Sequence, residues 1–217
     1  DCYIGYIRNV AMGDSCQAPD GYACIAMGKN ANAHGSLTPC VAIGANLNNT
    51  GKYTHAFGYK VNVNNRRGTF VYADRSTEDT LKLLAIPDNF DKIQVRAAGG
   101  IGFYSSSDLS TGVYCFPGSG SWSATSNRES KNIHGLPRNI CGKLDDIPVL
   151  EWSYLNYSVR HLGPMAQTMK SELGYGEADT LINSLDMDGV IISGIKELDQ
   201  RIEQQLIEIK QSFRNED

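Results

Sequence analysis

The sequence predicts a mainly β N-terminal part built as a short-repeat β-solenoid, then a mixed α+β part that ends in a long coiled-coil helix. Three observations carry this: a four-fold A-x-G repeat, a Gly/Ser-rich run of short β segments, and an apolar seam near the C-terminus. The repeats are Asn9-Val10-Ala11-Met12-Gly13, Cys24-Ile25-Ala26-Met27-Gly28, Cys40-Val41-Ala42-Ile43-Gly44 and Thr54-His55-Ala56-Phe57-Gly58. Their glycines lie 15, 16 and 14 residues apart. A period this short is one rung of a solenoid, and a rung buries its inner face only against neighbouring rungs. Alanine suits the narrow interior, and glycine suits a turn with positive φ.

Three residues after each glycine comes a second apolar row, Cys16, Ala31, Leu47 and Val61. The row Val10, Ile25, Val41 and His55 is expected to form a further buried face, with His55 a hydrogen-bonded histidine at the last rung. Cys24 and Cys40 occupy equivalent places on adjacent rungs. Rungs stack about 4.8 Å apart, so a bridge between them is geometrically conceivable. The plain reading of all six cysteines is buried free thiols in a reducing compartment. None forms a C-x-x-C pair, which argues against a zinc site. No cofactor or metal is expected.

Arg66 and Arg67 end the repeats. Gly68 to Tyr72 reads as a strand. Arg75 to Ile86 reads either as a short helix capped by Ser76 or Thr77, with Glu78 and Asp79 in its first turn, or as two strand ends around a turn. Ile93–Val95, Ile101–Tyr104 and Gly112–Phe116 read as short strands. The Gly99-Gly100-x-Gly102 cluster lacks a strand-loop-helix setting and is not a nucleotide loop. Asp188 reads as the N-cap of a helix from about Gly189 to Arg214. Ile191, Ile195, Leu198, Ile202, Gln205 and Ile209 alternate four- and three-residue steps, the a/d seam of a coiled coil. Packing of that stripe against its own domain is the alternative.

Composition bounds the function. A net charge of −4 and a pI near 5.6 argue against a nucleic-acid partner. No apolar run approaches a membrane span. Asp1 is not a natural start, so the chain reads as a fragment of a longer protein, and the lack of a leader says little about export. No carboxylate pair stands out as a glycosidase site.

Function points to three blocks in order: Gly118 to Ile133 (GSGSWSATSNRESKNI), Arg160 to Gln167 (RHLGPMAQ), and Asp186 to Val190 (DMDGV). From about Gly99 onward they resemble the C-terminal intramolecular chaperone domain of bacteriophage tailspikes of the endosialidase type, also found in myelin regulatory factor. The N-terminal repeats resemble the left-handed parallel β-roll of trimeric autotransporter heads. Together the resemblances imply a homotrimer with head-like repeats at 1–68, a β-rich neck at 69–125 and a chaperone domain at 126–217. They imply the C-terminal part of a phage or viral tail fibre, located in the virion and assembled in the host cytoplasm. Its partners would be itself, the rest of the fibre and, in one reading, a host-surface receptor or glycan.

The family cuts itself in front of a serine. Here that implies Ser126 as nucleophile, Lys131 as base, and the bond between Thr125 and Ser126 as the one broken, with His161 supporting the reaction. A serine hydroxyl needs a base and an oxyanion site, and lysine serves as base when burial lowers its pKa. The reaction is single-turnover, because the nucleophile cuts its own chain. Family members usually carry Asp where Asn127 stands. If that Asp orients Lys131 or Arg128, cutting here is slow or absent, and the alternative is a structural or receptor-binding fibre tip whose chaperone stays attached. A bacterial adhesin head is a third reading, and it should lead into a membrane anchor.

Overall fold

The computed structural model describes residues 2–4, 8–20, 22–35, 38–64, 66–82 and 90–215. The chain divides into two compact units, Asp1–Lys131 and Asn132–Asp217. The first contains a β-solenoid of about four turns. Its strands are β1 (Tyr3–Ile4), β2 (Val10–Asp14), β3 (Gln17–Ala18), β4 (Ile25–Ala33), β5 (Cys40–Asn49), β6 (Thr54–Tyr59), β7 (Val61–Asn62), β8 (Phe70–Ala73), β9 (Leu81–Lys82) and β10 (Ile93–Arg96). They form one ten-stranded sheet, and every ladder in it is parallel.

The repeat sets the register. Ala11 pairs with Ala26, Ala26 with Ala42, Ala42 with Ala56, and Ala56 with Val71. This row and the row Cys16, Ala31, Leu47 and Val61 are buried and form the interior. The repeat glycines have φ between 99° and 142°. A Cβ on Gly13, Gly28 or Gly44 would collide with the carbonyl oxygen of the glycine one rung on. Two residues later the chain turns again with positive φ, at Ser15, Asn30, Asn46 and Lys60; asparagine tolerates that region better than most residues. Asn32, Asn48 and Asn62 stack as an amide ladder, with N···O distances of 3.2 and 3.4 Å.

Two expectations change. The row Val10, Ile25, Val41 and His55 is not an inner face: Val10 and His55 are exposed, and Ile25 and Val41 are half-buried. Side chains alternate along a strand, so a residue beside an inward alanine points out. Nor does stacking stop at His55 or Arg67. The rows run on through β8, where Val71 replaces the alanine and Ala73 the glycine, and β10 pairs with β8 along its whole length. From Arg75 to Lys82 the described chain has bends and β9 but no helix; 83–86 lie outside the described residues.

Still in the first unit, β11 (Ile101–Tyr104), β12 (Gly112–Cys115) and β13 (Ser123–Ala124) form an antiparallel sheet. The second unit has α1 (Ile140–Leu144), a hairpin of β14 (Leu150–Trp152) and β15 (His161–Gly163), α2 (Ala166–Leu173) and α3 (Ser184–Asn215). Its core is Ile140, Ile147, Met169, Leu173 and Val190, with Leu144 and Met187 packed against it. Helix α3 begins at Ser184, ahead of the expected start at about Gly189. Asn183 accepts the Leu185 amide at 2.9 Å, the bond an N-cap makes to the second helical residue, while Asp188 lies inside the helix.

Candidate functional site

Thr125 follows β13 and is pinned to the start of β12. Its amide donates to the Gly112 carbonyl at 2.9 Å. Its hydroxyl accepts the Gly112 amide at 3.0 Å and lies 3.3 Å from the Gly112 carbonyl. Ahead of it, Trp122 packs on Phe103 with ring centroids 5.5 Å apart. The peptide group that follows Thr125 is therefore carried by a sheet edge rather than by a free loop.

Next the chain makes one short 3-10 turn, Arg128–Ser130, with Asn127 at its N-cap. The Asn127 side-chain oxygen accepts the Glu129 amide at 3.2 Å. Its carbonyl accepts both the amide and the hydroxyl of Ser130, at 3.3 and 3.0 Å. The Lys131 amide closes the turn on the Arg128 carbonyl at 3.1 Å. Reversed in this way, the chain brings Lys131 Nζ to 2.6 Å from Ser126 Oγ, with Nζ donating.

This juxtaposition places an amine against a hydroxyl whose own acyl neighbour is the fixed Thr125. Chemically, that is a nucleophile with a proton acceptor in reach once the amine is neutral. Ser126 and Lys131 are both exposed in the single chain. Asn127 serves the turn through its oxygen, and asparagine and aspartate serve a cap about equally well. Its side-chain bond goes to Glu129 and not to Lys131 or Arg128.

His161 belongs to the second unit. It pairs with Trp152 across the β14–β15 hairpin and stacks on that indole, with centroids 4.6 Å apart and planes 28° apart. Tyr154 meets the imidazole edge-on at 5.7 Å. Arg160, beside it, pairs with Glu151 on the other strand. The ring is thus oriented by aromatic packing, a feature that spacing alone did not reveal.

The seam residues Ile191, Ile195, Leu198, Ile202 and Ile209 are all exposed along α3, together with Ile192, Leu206 and Phe213. On the solenoid, Met12, Ile43, Phe70, Tyr72, Ile93 and Val95 present large apolar side chains outward. Among the described residues no group of three or more His, Cys, Asp or Glu could hold a metal ion, and no helix is long and apolar enough to cross a membrane. Comparison with protein-family models, with curated proteins and with solved structures finds no match to this chain.

Proposed function

We propose that this chain is the C-terminal part of a homotrimeric phage or viral tail fibre. In this reading the solenoid is a left-handed roll and residues 126–217 are an intramolecular chaperone that drives trimerisation. The chaperone is released by autoproteolysis between Thr125 and Ser126. The observation that carries the reading is the 2.6 Å approach of Lys131 Nζ to Ser126 Oγ directly after the anchored Thr125.

The chemistry runs in two steps. Neutral Lys131 takes the Ser126 proton while Oγ attacks the Thr125 carbonyl carbon. The C–N bond breaks as the Ser126 nitrogen takes the proton, and an ester joins Thr125 to Ser126 Oγ. Water then hydrolyses that ester, giving 1–125 and 126–217. Ser126 and Lys131 are both exposed in the single chain, so the reading requires a drier setting than the single chain provides. In this reading the assembled trimer supplies that setting. His161 supports the reaction as an orienting or carbonyl-binding group.

The trimer also gives the outward apolar rows a destination. A trimeric β-roll is slow to assemble because three chains must meet in register. A helical bundle forms quickly and sets the register, and cutting afterwards leaves the fibre kinetically trapped.

The exposure of both Ser126 and Lys131 favours one second reading: a structural or receptor-binding fibre tip that keeps its chaperone. A time course by denaturing gel and intact mass separates the two. The first expects two fragments, the smaller beginning at Ser126 by N-terminal sequencing, and no cutting in Ser126→Ala or Lys131→Ala. A trimer that stays whole at long times supports the second, and a fragment starting elsewhere removes the assignment.

A further inference from the structure

The residue before each outward row position points into the solenoid. Those inward residues are Asn9, Cys24, Cys40, Thr54 and Thr69, all buried. This row is small and polar, and most of its members bond to neighbouring backbone or side chains. Asn9 donates to the Ala18 carbonyl, Thr54 to Asn49 Oδ1 and Thr69 to the Arg67 carbonyl. The two cysteines instead meet each other: Cys24 Sγ lies 2.9 Å from Cys40 Sγ and 3.3 Å from the Thr38 carbonyl.

The register favours this contact. Ile25 pairs with Val41, so Cys24, the residue before β4, and Cys40, the first of β5, sit on adjacent rungs about 4.8 Å apart. That separation falls within the range of roughly 4.4–6.8 Å that a disulfide bridges without moving backbone. The other thiols face carbonyl groups: Cys2 that of Gly13, Cys16 that of Gly28, Cys115 that of Ser119 and Cys141 that of Gly194. Among the described residues, Cys24 and Cys40 are the thiols in mutual contact.

We propose that Cys24 and Cys40 form an oxidation site, where a small hydroperoxide converts the two thiols into a disulfide between adjacent rungs. The Cys24 thiolate attacks one oxygen of the hydroperoxide and the O–O bond breaks. Cys24 becomes a sulfenic acid, and hydroxide (or alkoxide) leaves and takes up a proton. Cys40 sulfur then attacks Cys24 sulfur; the S–O bond breaks, water leaves with the Cys40 proton, and the S–S bond forms. For hydrogen peroxide, two thiols and one peroxide give one disulfide and two waters.

The environment favours Cys24 as the first to react. The contact with Cys40 draws the Cys24 thiol down to about 6, while the same contact pushes Cys40 up; the thiolate is the reactive form. Cys24 is 0% and Cys40 1% exposed, so the reagent must be near the size of water. A bulky disulfide or alkylating agent is excluded while the rungs stay stacked. Once formed, the bond adds a covalent tie to two rungs already held by backbone hydrogen bonds, the Asn32–Asn48 amide contact and the packed inner rows.

The test uses the full chain, folded, treated with hydrogen peroxide, quenched, then unfolded in iodoacetamide. A tryptic digest without reductant releases 9–29 and 30–52. Expected are a loss of about two mass units, a linked 9–29/30–52 pair, and disappearance of that link in Cys24→Ala but not in Cys16→Ala. A link that survives in Cys24→Ala, a link between chains, oxygen addition at Cys24 without a link, or no change when Cys2 has already oxidised would each overturn the proposal. Should Cys24→Ala fail to fold, fragmentation of the linked wild-type peptides still identifies which of Cys16 and Cys24 is joined to Cys40.

Discussion

The solenoid and helix α3 are both built from repeating apolar positions, yet they complete themselves differently. In the solenoid the rows Ala26–Ala42–Ala56 and Ala31–Leu47–Val61 are sealed within one chain. Along α3, Ile195 stands 62% exposed, and its seam partners are similar. A strand repeat can stack on the next copy of itself along the same chain. A helical seam has no next copy and needs another helix. Solenoid stability is therefore local and intramolecular, whereas any stability that the α3 seam provides depends on association.

The sharpest way to break the comparison is Gly28→Val. The side chain would strike the Gly44 carbonyl, and φ is +121°. The expected outcome is loss of soluble, β-rich protein, well beyond the roughly 1 kcal/mol typical of point changes. Leu47→Ala, which empties the largest side chain of the inner row, should cost about 2–5 kcal/mol, read as a lower unfolding midpoint by circular dichroism. By contrast, if the chain assembles as the proposed trimer, Ile195→Asp with Ile202→Asp should leave the solenoid spectrum intact and move the light-scattering mass from three chains to one. Point changes suit α3 better than removal of the helix from Gly189 onward, because Val190 packs into the second unit's own core. If the double variant keeps a three-chain mass, the seam is not the assembly surface.

Much of the solenoid was legible because one rung looks like the next. The A-x-G repeat gave the inner rows and the pairing of strands residue by residue. Its continuation was not, because Val71 and Ala73 break the letter pattern while keeping the shape. The direction of Val10 and His55 is hidden for another reason: a mostly apolar row reads as a buried face, although strand alternation points both residues out. At the second unit Asp188 drew attention from Asn183, which has Asp186 three residues on and is the true cap. The pairing of Ser126 with Lys131 depended on a 3-10 turn that a five-residue separation does not dictate.

That turn gives the next, smaller effect. Its cap is the Asn127 side-chain oxygen on the Glu129 amide, a bond that Asp makes equally. If the chain cuts as proposed, Asn127→Asp should then change the cutting rate by no more than roughly twofold. Asn127→Ala removes the cap, at about 1 kcal/mol, and should slow cutting roughly fivefold. A time course of the three forms after assembly decides the point. A large acceleration in the Asp form would mean that its charge acts on Lys131 or Arg128 and that the cap is incidental.

The smallest expected effect lies where α3 does find a partner within its own chain. Helix α1 has no side-chain cap of its own, since Asn139 makes no such bond. Glu197 of α3 supplies one, its carboxylate accepting the Cys141 amide at 2.8 Å. The amides of Ile140 and Cys141 hold the Glu197 pKa below its ordinary value. A carboxyl depressed in the folded state contributes stability at pH above its unfolded pKa, and that contribution fades as pH falls through the folded value. The unfolding midpoint of the second unit should thus drop on acidification below the carboxylate range. Glu197→Gln keeps an acceptor without the charge, so it should lie below the wild type at neutral pH and meet it at acid pH. Parallel curves across the whole range would show that the contact holds α1 against α3 by geometry alone, leaving the apolar packing of Ile140, Leu144 and Val190 as its cause.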